Sequence, residues 1–209
     1  MNYLCKLMLV IAIIIPINTY CNSIIIRHAE QNDLPNLINL TQEVFNKNFR
    51  NTLLDGYPES PIPQSPDLLQ SYLNGFINAY TTILTYKLTS NHNTNHQILV
   101  AVDPQQPEHT LGLSISEKRD TQAYIMLIIV DPDYQGKGIG KTLLTQTIDL
   151  YDDVASCGLK TFSHGNENTH HFYETYGFKS SKELITLPIK DSPHSDTITF
   201  IFYTLTLVN

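Results

Sequence analysis

The feature that most restricts the fold of this chain is the change of pattern at residue 130. Residues 123–130, AYIMLIIV, form a run of β-forming, mostly apolar side chains. Through Asp131 and Pro132 they lead into DYQGKGIGKTLL, residues 133–144, where three glycines and two lysines open an apolar helical stripe. A strand, a tight glycine loop and an amphipathic helix in that order make a βα unit and place the chain in the α/β class. Glycine lets the backbone N–H groups at a helix N-terminus approach an anion closely. The loop is therefore expected to hold a phosphate-bearing ligand.

Spacing argues against two familiar phosphate loops. A nucleotide-triphosphate P-loop ends in Gly-Lys-Thr, as Gly140-Lys141-Thr142 does, but it needs glycine where Gln135 stands. A dinucleotide fingerprint begins as Gly136-Lys137-Gly138 does, but it needs its third glycine where Lys141 stands. Each pattern misses by one residue.

The rest of the chain supplies the order β-α-α-β-β-β-α-β-α-β-β. Ile24 to Ile26 read as a short strand, and Asn32-Asp33 as the N-cap of a helix carrying Leu34, Leu37, Leu40 and Val44. Pro58, Pro61, Pro63 and Pro66 make the stretch from Asp55 to Asp67 a loop. A second helix follows with Leu69, Tyr72, Phe76, Tyr80, Ile83 and Leu84 on one face. Residues 97–102 and 110–116 read as strands that precede residues 123–130. The helix after the glycine loop presents Ile139, Leu143, Leu144, Ile148, Tyr151 and Ala155. Residues 159–164 then read as a strand, 168–177 as a short helix, and 178–189 and 197–207 as two final strands. The sum is a mixed α/β domain, an α+β mixed sheet in which meandering strands meet one βα crossover.

Composition narrows the function. A chain of 209 residues, 42% hydrophobic, suits one domain with a proper core. The formal charge of −7, with no block of Lys or Arg, argues against a nucleic-acid partner. Residues 1–23 have the layout of a secretory signal peptide: Lys6, an apolar run over residues 7–15, then Pro16 and a polar stretch. The domain proper is then residues 24–209. Cleavage implies export, periplasmic or secreted; an uncleaved leader implies a membrane anchor, and a misplaced start implies a cytoplasmic protein. Cys5 and Cys21 fall in the leader, which leaves Cys157 without a disulfide partner in the domain.

Two segments carry a family resemblance. IIVDPDYQGKGIGKTLL resembles the acetyl-CoA-binding segment of the GNAT superfamily of acyl-CoA-dependent N-acetyltransferases, whose pattern Gln135, Gly138 and Gly140 match. Val130, Pro132 and Tyr134 fall where that family commonly has Val, Pro and an aromatic residue. Downstream, NENTHHFYETYGF resembles the family's later segment through Asn166, Phe172-Tyr173 and Gly177-Phe178.

The resemblance implies a GNAT-like fold and acetyl-CoA as co-substrate. Main-chain amides across Gln135, Gly136, Lys137, Gly138, Ile139 and Gly140 would receive the pyrophosphate, with Lys137 and Lys141 adding positive charge, and Gly138 and Gly140 leaving room. The pantetheine arm would run along Ile128, Ile129 and Val130, using main-chain groups of Ile128 and Val130. Asn166 is either a pantetheine contact or a helix N-cap. Tyr173 is either the acid that protonates the departing thiolate or an aromatic core residue. An amine acceptor with a pKa near ~10.4 must lose a proton first, yet Tyr124 stands where relatives often have a glutamate. Glu117, His164 or a chain of waters are the substitutes. No metal is expected, and His164, His170 and His171 read as solvent-exposed. The acceptor is a small-molecule or peptide amine, which Asp55, Glu59 and Asp67 would favour if cationic. The competing expectation is a non-catalytic acyl-CoA-binding or interaction module on the same fold.

Overall fold

The computed structural model describes residues 24–56, 65–89, 95–188 and 197–207. The strands are β1 (Ile25–His28), β2 (His96–Asp103), β3 (Gln106–Arg119), β4 (Gln122–Val130), β5 (Ser156–Phe162), β6 (Lys179–Pro188) and β7 (Thr197–Thr206). The helices are α1 (Leu34–Val44), α2 (Arg50–Gly56), α3 (Pro66–Thr89), α4 (Ile139–Asp149) and α5 (Glu167–Thr175). They form a 7-stranded sheet in the order β1-β2-β3-β4-β5-β7-β6. Every neighbouring pair is antiparallel except β4 and β5, which the α4 crossover joins in parallel.

Both faces of the sheet are covered, as alternating strands joined by helices require. On one face, Leu37, Leu40 and Val44 of α1 and Ile77 and Leu84 of α3 pack on Val100, Leu113, Ile115, Leu127 and Ile129. On the other, Ile139 and Leu143 of α4 meet Leu99, Ala101 and Leu111, while Leu144 joins Tyr173 of α5 against Ala123, Ile125 and Leu159. A smaller cluster seats Leu53, Leu69 and Leu73 on Phe162, Ile198 and Phe200.

Four details differ from the sequence pattern. The first helix does not stop at Val44: a π-helical turn, Phe45–Phe49, carries it into α2. The wider turn stacks Phe45 on Phe49 with ring centroids 4.1 Å apart. Asp55 and Gly56 thus belong to α2, and Pro66 opens α3, where a missing N–H costs nothing. Pro58, Glu59, Pro61 and Pro63 lie outside the described residues, as does the leader, residues 1–23. Finally, α4 ends at Asp149, so Tyr151 and Ala155 are not helical. Tyr151 is nonetheless buried, and its hydroxyl reaches Ser116 Oγ at 2.9 Å. Among the described residues no helix is long and apolar enough to cross a membrane.

Asp33 occupies the expected N-cap of α1, but its carboxylate is engaged elsewhere. It accepts from Arg27 Nη1 and Nη2 at 2.7 and 2.8 Å and from the Glu30 N–H at 2.7 Å. The Arg27 hydrogen bond, aided by the Glu30 amide, holds the Asp33 carboxyl below the usual range. A depressed folded-state pKa adds stability that is complete above pH ~4 and is lost as pH falls through the folded value. Asp33→Asn should therefore cost about 1 kcal/mol at neutral pH. The gap between variant and wild type, read from urea midpoints, should close as the pH is taken below ~4.

The end of α2 docks on the loop after β5 through two glycines. A Cβ on Gly56 would lie 2.7 Å from the His164 carbonyl group, and one on Gly165 2.4 Å from the Thr52 carbonyl oxygen. Gly165 also has φ of +66°, a left-handed conformation that side chains disfavour.

Candidate active site

The site is created by the way β4 leaves β5. Their parallel pairing covers Gln122↔Ser156 to Ile125↔Leu159 and stops there. One residue later β4 is bulged: Ile115 pairs with Leu127 and Ser116 with Ile125, leaving Met126 as the extra residue. A bulge bends its strand and raises the local twist, which carries the rest of β4 away from β5. Lys160, Thr161 and Phe162 continue to pair, but only with β7. Beyond Ile125 the sheet is therefore divided, with β1 to β4 on one side and β5, β7 and β6 on the other.

Hydrogen-bond phase shows which groups face the gap. The Asp131 N–H donates to the Leu111 carbonyl at 2.9 Å, so this is a bonded pair. Bonded and open pairs alternate along an antiparallel ladder, which makes Leu113↔Ile129 and Ile115↔Leu127 the next bonded pairs. Ile128 and Val130 consequently turn their main-chain groups away from β3 and into the gap. Ile129 does not: its main chain is used by Leu113 and its side chain is in the core. Its main chain therefore offers no hydrogen bond to the gap.

The far end of the gap is the glycine loop. Gly136 and Gly138 have φ of +75° and +84°, and a Cβ on either would meet nothing within 4 Å. These two positions require glycine for the left-handed backbone and leave open space beside it. Gly140 differs: it is helical, and its Cβ would make an ordinary 3.6 Å contact with Val130. Gly138 is the N-cap of α4, and the first bond into the helix runs from the Thr142 N–H to the Gly138 carbonyl at 3.0 Å. The N–H groups of Ile139, Gly140 and Lys141 thus precede the first helical donor, the Thr142 N–H, and point outward with the positive end of the dipole. The Ile139 side chain is buried, so only its main chain faces the loop. Gln135 donates from Nε2 to the Val130 carbonyl at 3.2 Å, tying the loop to the end of β4. Lys141 is exposed, whereas Lys137 folds back: its Nζ lies 4.2 Å from the centre of the Tyr134 ring and donates to the Asp133 carbonyl.

At the near end, α5 brings Tyr173 to the gap. Its side chain packs with Ile125 and Leu159, the last paired residues of β4 and β5, and the residue is only 7% exposed. Burial first, then the nearby Cys157 and Tyr80, raises its phenol pKa well above the ordinary value. Among the described residues nothing hydrogen-bonds its hydroxyl. A buried hydroxyl without a partner is costly to keep, about 1–3 kcal/mol, which points to a group that is supplied from outside. Asn166 stands at the N-cap of α5, where its carbonyl accepts from the Thr169 and His170 N–H groups at 3.0 Å. Its side chain does not cap the helix; Nδ2 donates to Thr161 Oγ1 at 2.6 Å.

The family model for the acetyltransferase (GNAT) domain matches residues 94–180, which include β4, the glycine loop, α4, β5 and α5. Over that segment the chain is similar to GNAT acetyltransferase domains. The fold likeness runs further than that segment. The PaiA N-acetyltransferase of Thermoplasma acidophilum, solved with coenzyme A, superposes with a TM-score of 0.56 at 22% identity, over 85% of this chain and 98% of its own. NAA60 of Arabidopsis thaliana, solved with a bisubstrate analogue, gives 0.59 at 12% identity over 88% and 98%. A GNAT-family acetyltransferase of Staphylococcus aureus gives 0.57 at 18% identity over 89% and 100%. The sequence matches no curated protein.

The candidate bases fare unequally. Glu117 lies opposite Tyr124 in register, but its carboxylate is occupied by Arg119 Nε at 2.5 Å and His96 Nε2 at 3.3 Å. The Arg119 guanidinium also covers the Tyr124 ring at 3.7 Å. His164 and His171 are exposed, as expected; His170 is half-buried, and its Nε2 meets the Phe162 carbonyl at 2.7 Å. Among the described residues no group of three or more metal-ligating side chains is found. The sequence pattern gave no sign of the bulge at Met126 or of Tyr80, whose hydroxyl donates to the Met126 carbonyl at 3.0 Å. An unbroken apolar run carries no alternation to reveal a bulge.

Proposed function

We propose that this protein moves an acetyl group from acetyl-CoA to a primary amine by direct attack. The observation that carries the proposal is continuity: one gap runs from the exposed amides of α4, past the Val130 N–H and the open main chain of Ile128, to the unpartnered Tyr173 hydroxyl. The pyrophosphate of the cofactor would sit on the amides between Gly136 and Lys141, and pantetheine would pair with β4 where β5 has left it. Acetyl-CoA supplies the activated acyl group; the chain orients it, excludes water and handles the proton.

In the step itself the amine nitrogen attacks the thioester carbonyl carbon and the carbon–sulfur bond breaks. A main-chain N–H of β4 faces the developing negative charge on oxygen. Tyr173, kept neutral by burial, offers its proton to the departing sulfur. The proton lost by the amine leaves through solvent. The two relatives solved with coenzyme A and with a bisubstrate analogue support the cofactor assignment.

The test is the melting temperature with and without acetyl-CoA. Ligand at ~100 times its dissociation constant adds about 2.7 kcal/mol, a rise of roughly 5–10 °C for a domain of this size. Gly138→Asp places a carboxylate where the phosphates belong and should abolish the rise. No rise in the wild-type protein at millimolar ligand would end the acetyl-CoA reading. A rise without transfer to any of a panel of amines would leave an acyl-CoA-binding module.

A further inference from the structure

We infer that Tyr80 is a positioning residue of this centre: its hydroxyl holds the Met126 carbonyl where β4 and β5 part, and so fixes the main chain against which the thioester lies. The inference rests on the acetyl-CoA reading above and adds a residue from α3, outside both sequence motifs.

The argument begins with a single peptide unit. Leu127 belongs to a pair bonded with Ile115, so its N–H is directed at β3. In a trans peptide the preceding carbonyl points the opposite way. The Met126 carbonyl therefore faces the side from which β5 has withdrawn, one residue past the last β4–β5 pair at Ile125↔Leu159. In an undivided sheet a β5 amide would take that carbonyl. Here the donor is Tyr80 Oη at 3.0 Å.

Tyr80 is held in place for this task. It lies on α3, and its ring packs 5.6 Å from that of Phe45, the first residue of the π-helical turn. It reaches the gap from the α1–α3 face, while Tyr173 reaches it from the α4–α5 face, so two phenols converge where the sheet divides. The Tyr80 contact has two consequences. It gives the Met126 carbonyl a partner that is not a strand, which keeps the gap from closing by further β4–β5 pairing. It also fixes the 126–127 peptide plane, and with it the direction of the next main-chain N–H to face the gap, that of Ile128. That N–H is the donor nearest the bulge for a thioester oxygen.

The experiment uses acetyl-CoA labelled with carbon-13 at the thioester carbonyl. Its dissociation constant and its carbonyl stretching frequency are measured on the wild-type protein, Tyr80→Phe and Tyr151→Phe. The wild-type complex should show the band below its position in free acetyl-CoA. Tyr80→Phe should bind within about threefold of wild type, since the glycine loop is untouched, while its band returns at least halfway to the free position. Tyr151→Phe loses a comparable hydroxyl contact, 2.9 Å to Ser116, away from the gap, and should leave the band where it was. An unmoved band in Tyr80→Phe, or a lost affinity in place of a moved band, overturns the role of Tyr80 and leaves the cofactor reading intact. A wild-type protein that binds no acetyl-CoA overturns both.

Discussion

Tyr173→Phe should lower the rate of acetyl transfer about 100-fold, the lower end of what a positioned acid contributes, while leaving acetyl-CoA affinity nearly unchanged. The melting temperature of the free protein should not fall. The phenol is buried without a partner among the described residues, so deleting its oxygen removes an unsatisfied group and keeps the ring that packs with Ile125 and Leu159. A residue kept only for packing would show the reverse, a preserved rate and some loss of stability on any change. The raised pKa adds a second mark. Because the neutral phenol persists well above pH 7, rate loss from Tyr173 ionisation should be absent up to pH ~10, and the acid limb of the profile should follow the amine. Thiol release against pH, for both proteins, is the measurement.

Gly165→Ala should be the most damaging single-methyl change in the described chain. The residue has φ of +66°, which costs an alanine roughly 1–2 kcal/mol. Its new Cβ would also lie 2.4 Å from the Thr52 carbonyl oxygen and 2.6 Å from the Gly56 nitrogen, both backbone atoms that cannot turn aside. Overpacking of that kind adds about 1–3 kcal/mol. Together they predict a melting temperature lower by roughly 4–20 °C. The damage should be local in character. The contact joins the end of α2 to the loop that precedes Asn166, so hydrogen exchange should quicken first around Thr52, Gly56 and the start of α5. If Gly165→Ala melts with the wild type, the docking of α2 on that loop is looser than its geometry indicates.

Much of this architecture is legible in the chain because it is carried by short-range signals. The strand–loop–helix from Gln122 to Asp149 declares itself by β-formers, then left-handed glycines, then apolar residues at helical spacing. The features that escape are those in which one residue answers another far away. Gly56 and Gly165 each look like ordinary turn glycines, and only their apposition explains both. Met126 sits in an apolar run with no alternation to break, and its carbonyl is satisfied by Tyr80, 46 residues earlier. The helix beyond Val44 escapes for a different reason. FNKNFRNTLLDG is polar but for Phe45, Phe49, Leu53 and Leu54, and a π-helical turn alters the spacing by which an apolar face is recognised. Tyr151 shows a mixed outcome: it was expected on the core side and lies there, but a chain reversal after Leu150 puts it there, not the helix.

The divided sheet has a bearing on how the molecule comes apart. Four paired residues on each strand make up the β4–β5 ladder that joins β1–β4 to β5, β7 and β6; the rest of the joint is side chains of α2 to α5 and the close approach of Gly56 and Gly165. Two leaves joined by so short a ladder need not open together. A pantetheine arm laid along Ile128 and Val130 would lengthen that ladder from within. Bound ligand would then act as a stitch as well as a substrate, merging two units of unfolding into one and sharpening the thermal transition as well as raising it.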